Sequence, residues 1–110
     1  MGHQTRIINM IVNFDDIEIN SFDAGGGAIY YHNNHPFTGT IVEYNSNNVL
    51  IGEFEVLNGS KHGRTASYYN NGQILEEGYI SYNRPYGIYK EWDVNGNLIN
   101  QIDFGAEYQP

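Results

Sequence analysis

YYNNGQILEEG, residues 68–78, is the stretch on which the reading of this chain turns. It has two counterparts, EYNSNNVLIGE at 43–53 and EWDVNGNLINQ at 91–101. Tyr44, Tyr68 and Trp92 stand 24 residues apart, as do Gly39, Gly63 and Gly87, then Asn48, Gly72 and Gly96, then Leu50, Ile74 and Leu98. Columns that hold one period mark a repeated supersecondary unit, one that cannot bury its apolar side alone and does so by stacking on its copies.

Each unit reads as strand, turn, strand. In GTIVEY (39–44), GRTASYY (63–69) and GIYKEW (87–92), β-branched and aromatic residues follow a glycine, and Asn and Gly come after them. A two-residue Asn71-Gly72 turn would set Tyr68 opposite Leu75. A three-residue loop over 70–72 sets Tyr68 opposite Ile74 and Ser67 opposite Leu75, and in all three units it brings the repeated aromatic to the repeated aliphatic. Such loops end in a left-handed residue, which Asn48, Gly72 and Gly96 supply. We take that register.

Side chains alternate along a strand, so the register predicts two faces. The buried face then holds Val42, Tyr44, Leu50, Phe54 and Val56 in the first unit, Ala66, Tyr68, Ile74 and Ile80 in the second, and Ile88, Trp92, Leu98, Ile102 and Phe104 in the third. The open face holds Glu43, Glu53, Glu55, Glu77, Tyr79, Tyr89, Glu91 and Asp103, with Ile41, Ile51, Leu75 and Ile99 among them. Arg64, Glu76 and Lys90 fall on the apolar side against the pattern; margins of the sheet, with stems buried and heads in water, would accommodate them. LNGSKHG (57–63) and SYNRPYG (81–87) read as polar turns between units. Ala28 to His32 reads as a further strand, RIINMIVNF (6–14) as a strand covering the apolar face or an edge, and DDIEINSFDAGGG (15–27) as a connecting loop.

The fold expected is all-β, an antiparallel meander of 24-residue hairpins in a single sheet with an N-terminal strand segment. At 110 residues the chain is one domain. The N-terminal strand and loop cover 1–27 and the hairpins 28–104, in units near 39–62, 63–86 and 87–104. The chain carries 13 Asp plus Glu against 5 Lys plus Arg, a formal net charge of -8, so nucleic acid and anionic lipid are disfavoured partners and a basic protein is favoured. There are no cysteines, which excludes disulfide scaffolds and thiolate chemistry and fits a reducing compartment. The N-terminal stretch lacks the uninterrupted apolar run of a signal peptide, and a cytoplasmic location is expected.

The glycine, Glu-Tyr/Trp, Asn-Gly-x-Leu and polar-turn pattern resembles the bacterial variant of the MORN (membrane occupation and recognition nexus) repeat. HPFTGTIVEY (35–44), with SKHGRTASYYNNGQILEEGYI (60–80) and YGIYKEWDVNGNLI (86–99), is similar to the YwqK-like antitoxin family, in which such repeats follow a Pro-Phe-Thr-Gly segment. VNFDDIEI (12–19) resembles that family's lead-in, so the likeness spans roughly residues 12–104. Asn48 stands where the other units have Gly. The resemblance implies an antitoxin or immunity protein that binds and neutralises a cognate bacterial toxin. A basic, nuclease-type toxin domain would suit the acidic face, with Glu43, Glu53, Glu55, Glu77, Tyr79, Tyr89, Glu91 and Asp103 as the partner-binding set. The alternative is a non-catalytic scaffolding module that self-associates through its strand edges or binds another protein. Oligomeric state stays open.

No catalytic constellation emerges. Adjacent carboxylates such as Glu76-Glu77 point to opposite faces of a strand and cannot share one substrate bond. Ser60, Ser67 and Ser81 lack a His and an acid at an arguable spacing. GGG at 25–27 precedes no helix. His32 and His35, with Asp23 as a third ligand, invite a metal, but turn-lining histidines are the plainer reading, and His62 is expected solvated in a turn. No cofactor and no metal are expected.

Overall fold

Left-handed residues set the hairpins. In the computed structural model, which describes residues 10–110, Asn48, Gly72 and Gly96 adopt φ of 60°, 88° and 88°. Each closes a three-residue loop: Tyr69 N donates to Gln73 O at 2.8 Å, and the same bond joins Asn45 to Val49 and Asp93 to Asn97. Asn45 and Asp93 also hold their loops with side-chain oxygens that accept amides two and four residues on. Beyond the loops, Tyr44 pairs with Leu50, Tyr68 with Ile74 and Trp92 with Leu98, as the register predicts.

One step further the register departs from expectation. Glu43 pairs with Gly52, Ser67 with Glu76 and Glu91 with Asn100, so Ile51, Leu75 and Ile99 are each an extra residue in their strand. A bulge of one residue exchanges the faces of everything beyond it. The expectation of Val42 inside and Ile41 outside is therefore wrong. Ile41 is fully buried and Val42 stands opposite Glu53.

The strands are β1 (Ile11–Asn13), β2 (Glu18–Phe22), β3 (Ala28–His32), β4 (His35–Pro36), β5 (Gly39–Tyr44), β6 (Leu50–Leu57), β7 (Ser60–Tyr68), β8 (Ile74–Ser81), β9 (Arg84–Trp92) and β10 (Leu98–Asp103). The all-β class is as expected; the only helical turn among the described residues is a 3-10 turn, Phe14–Asp16. The single sheet is not. Seven strands run in the order β1-β5-β6-β7-β8-β9-β10, and β2-β3-β4 form a second, antiparallel sheet. The expected loop over 15–27 thus contributes strand β2. The expected N-terminal strand is short and lies on an edge, with β1 parallel to β5; residues 6–9 of that stretch lie outside the described residues. At Gly39 (φ 150°) an added Cβ would meet the Met10 carbonyl oxygen at 2.3 Å, so the repeat's glycine is what admits β1 alongside.

The turns between units are tighter than expected. Asn58-Gly59 and Tyr82-Asn83, like Asn33-Asn34, are two-residue turns with both residues left-handed, the type I′ geometry that matches strand twist. β7 and β9 therefore begin at Ser60 and Arg84, and His62 lies within β7, not in a turn.

The small sheet grips the large one at a turn: Gly59 O accepts from Tyr30 N and Gly59 N donates to Phe37 O, each at 2.8 Å. Behind that clasp Val12, Tyr30, Phe37, Ile41 and Val56 form the buried cluster, with Phe54 packed on it and its ring 5.2 Å from that of Tyr30. The core sits under the first repeat. All six residues of β10, at the far end, are exposed.

Candidate functional site

Strand pairing lines up one residue per strand across the sheet. One such row is Val42, Glu53, Ala66, Glu77, Lys90 and Gln101. The row beside it, on the opposite face, is Glu43, Gly52, Ser67, Glu76, Glu91 and Asn100. The eight acids and tyrosines expected on one face are divided by the bulges. Glu53, Glu55, Glu77, Tyr79 and Asp103 share the face of Arg64, whereas Glu43, Tyr89 and Glu91 lie on the other. Tyr68, expected on the side away from Glu53 and Glu77, is on theirs. Glu76 belongs with the second group and was missed.

On the first face Arg64 organises the charge. Its Nη1 lies 2.7 Å from Glu53 Oε1 and its Nε 2.7 Å from Glu77 Oε2, with all three side chains a third exposed or less. The Tyr68 hydroxyl donates to Glu53 Oε1 at 2.7 Å, and the Arg64 amide donates to Glu55 Oε1 at 2.7 Å. Burial pushes the Glu53 carboxyl upward, but the Tyr68 hydrogen bond and the bond and charge of Arg64 carry it below its ordinary value. Burial works against the Arg64 cation, yet its bonds to Glu53, Glu77 and Tyr68 leave it held more firmly protonated than usual.

On the second face Glu76 and Glu91 stand directly opposite each other on neighbouring strands. Like charges in that position repel. Among the described residues no ion pair reaches Glu43, Glu76 or Glu91. Neutral donors hold two of them instead: Tyr89 OH to Glu76 Oε2 at 2.5 Å, Ser67 Oγ to Glu76 Oε1 at 3.1 Å, and Asn100 Nδ2 to Glu91 Oε1 at 2.8 Å. The Tyr89 phenol is pushed well above its ordinary value by the Glu76 bond, then by burial, then by the charges of Glu76 and Glu91. The Tyr89 ring lies over Gly78, where an added Cβ would come within 3.0 Å of it.

Glu43, Gly52, Phe54, Glu76 and Tyr89 are among the residues that line an open groove of about 340 Å3, and Glu91, opposite Glu76, stands beside it. Lys61 lies at its margin with its ammonium 4.8 Å over the Phe54 ring, a cation engaged by an aromatic face. Gly52 and Gly78 lower the floor, so acids and rings rise around it. The arrangement offers two carboxylates on neighbouring strands, Glu76 and Glu91, about 4.8 Å apart, with Glu43 three strands away along the same row and aromatic surface beside them.

The signal for the missed bulges was present. Leu50-Ile51, Ile74-Leu75 and Leu98-Ile99 are paired aliphatics in the same column of every unit. Two neighbours in a strand cannot both face one core unless a bulge intervenes. Arg64, Glu76 and Lys90, misfits to a bulge-free strand, fit once it is counted.

His32 and His35 pair across the Asn33-Asn34 turn. Asp23 is turned elsewhere, its carboxylate accepting from Gly25 N, Gly27 N and Asn83 Nδ2, each at 2.9 Å. Among the described residues no group of three metal-ligating side chains forms. Ser81 does meet a histidine and an acid: its Oγ is 3.5 Å from His62 Nδ1 and donates to Glu107 Oε2 at 3.0 Å. A nucleophilic serine needs the imidazole between hydroxyl and carboxylate. Here the hydroxyl is the middle member and is fully buried, so it ties the C-terminal segment to β8.

No family model, curated protein or solved structure matches this chain. Among the described residues no helix is long and apolar enough to cross a membrane.

Proposed function

We propose that this chain is a non-catalytic antitoxin or immunity protein that captures a basic, nuclease-type toxin domain with the groove face of its large sheet. The observation that carries this reading is the set Glu43, Glu76 and Glu91, which form no ion pair among the described residues and of which Glu76 and Glu91 are held by neutral donors. Repulsion between Glu76 and Glu91 is relieved when a lysine or arginine from a partner enters between them. Tyr89 and Phe54 supply aromatic surface of the kind that anchors protein interfaces. A net charge of -8 steers a basic partner toward the molecule. Glu43, Tyr89 and Glu91 are the members of the expected set that this surface employs. Glu53, Glu55, Glu77, Tyr79 and Asp103 lie on the other face, where Glu53 and Glu77 already have a cation. The resemblance to YwqK-like antitoxins supports the same reading, and a cytoplasmic location is part of the proposal.

The test is co-expression with the product of the adjacent larger gene, whose C-terminal segment should be toxic alone. Wild-type protein should restore growth and co-purify with it. The double variant Glu43→Gln/Glu91→Gln should bind at least about tenfold more weakly, with a smaller dependence on salt. Glu18→Gln, a carboxylate change on the small sheet, should bind as wild type. Equal binding by the double variant would remove the row from the interface. Absence of rescue by the wild type would remove the antitoxin reading itself.

A further inference from the structure

Among the described residues the repeat leaves one strand without its neighbour. In the first unit the far side of β6 pairs with β7, through Gly52–Ser67, Glu53–Ala66 and Phe54–Thr65. In the second, the far side of β8 pairs with β9, through Glu76–Glu91 and Glu77–Lys90. The equivalent residues of the third unit, 24 positions on, are Asn100, Gln101 and Ile102 in β10, and β10 ends the order of the sheet. Its outer backbone groups have the geometry that β6 and β8 use and no strand beside them among the described residues.

The residues after β10 do not fill the place. Gly105 turns the chain back: Gly87 N donates to Gly105 O at 2.7 Å and Phe104 N to Gly87 O at 2.9 Å. Glu107 then reaches Ser81, and Tyr108 lies under the Arg84 guanidinium at 3.9 Å. The C-terminal segment is fastened to β8 and β9, away from the open edge.

We infer that a second copy of this chain occupies that edge, β10 pairing antiparallel with β10 of its twin to join two seven-stranded sheets into one. The strand that fits is antiparallel, because β7 and β9 are antiparallel to β6 and β8. A twofold axis perpendicular to the strands makes two β10 strands antiparallel to each other, as this pairing requires. Charge permits the approach. From Val94 to Ala106 the only charged residue is Asp103, in a chain whose net charge is -8. A foreign basic strand would find little to attract it here, whereas a second acidic copy finds the stretch least opposed to it. The edge is also apolar on both faces: Leu98, Ile99, Ile102 and Phe104 are 50%, 62%, 40% and 44% exposed. Lysine, proline and inward charge are the usual guards of an open edge. β10 has no lysine and no proline; its guards are the bulge at Ile99, next to its first residue, and Asp103, its last. The association is proposed separately from toxin capture: the groove carboxylates Glu43 and Glu76 stand on β5 and β8, although Phe104, next to the β10 edge, also lines the groove.

The experiment is sedimentation of the full chain over ~1 µM to ~1 mM, the range in which so small an interface dissociates. Wild-type mass should rise from 12.5 kDa toward twice that value, and more readily at high salt, which screens the net charge. Ile99→Lys/Gln101→Lys should hold the lower mass throughout, while Ile11→Lys, an exposed change at the opposite edge, should associate as wild type. Independently of any variant, hydrogen exchange at the amides of 98–103 should slow as wild-type concentration rises. A wild type that stays at 12.5 kDa to the top of the range overturns the inference, as does association that survives the β10 change.

Discussion

On one face of the large sheet Arg64 shares its charge between Glu53 and Glu77, and Tyr68 completes the set. On the other, Glu76 and Glu91 oppose each other with only hydroxyls and an amide for company. Both faces belong to the same repeat, and their carboxylates are one position apart along the strands. The first arrangement is closed: its donors and acceptors are used within the chain. The second keeps carboxylates beside an open groove, and that is what a site for an external cation requires. A carboxylate count alone does not identify a binding face; the state of each charge does.

The largest expected effect concerns which face is inside. Ile41→Ala should cost about 3 kcal/mol in urea unfolding, because the side chain is fully buried under the small sheet. Val42→Ala, beside it but on the Arg64 face, should cost about 1 kcal/mol. The bulge-free register predicts the reverse order.

Next comes the closed face. Arg64→Met should cost about 2 kcal/mol, since it strands Glu53 and Glu77 together, partly buried and without their cation. It should also change the acid limb. The folded Glu53 carboxyl lies below its ordinary 4.5, so its contribution is present above that pH and is lost as pH falls through the folded value. In Arg64→Met that loss should shrink, as a pH series of unfolding midpoints would record.

On the open face the sign reverses. Glu91→Gln removes a like charge opposite Glu76 and keeps an acceptor for Asn100, so it should stabilise by about 0.5 kcal/mol. Destabilisation would mean that the pair is not repulsive. The smallest effect is confined to alkaline solution. The Tyr89 phenol is held above its ordinary 10.0, so its contribution to stability is complete below that pH and declines as pH rises toward the folded value. In Glu76→Gln the phenol should titrate closer to 10.0, read by ultraviolet absorbance, and the alkaline decline should flatten.

Much of the local structure was legible. Asn48, Gly72 and Gly96 announced left-handed loop ends, and the aromatic–aliphatic pairs Tyr44–Leu50, Tyr68–Ile74 and Trp92–Leu98 followed from them. β3 was legible from its aromatic and β-branched run. β2 was not, because Glu18, Asn20 and Ser21 dilute its apolar pattern and its partner β3 decides its conformation. The candidate site was half legible: acids and tyrosines were recognised as its material, but their faces were misassigned beyond each bulge, and Glu76 was discounted as a misfit. The meeting of Ser81 with His62 and Glu107 had no local trace at all, since it joins residues 19 and 26 positions apart.

The sequence by itself determined the hairpins, their period and their loop conformations, because a turn is decided by the few residues that must adopt positive φ. Only the tertiary structure decided which side of the sheet is covered and which carboxylates are left for a partner. One extra residue in a strand reverses every side chain beyond it, and the choice of inner face rests on Tyr30 and Phe37 closing over Ile41, contacts between distant parts of the chain.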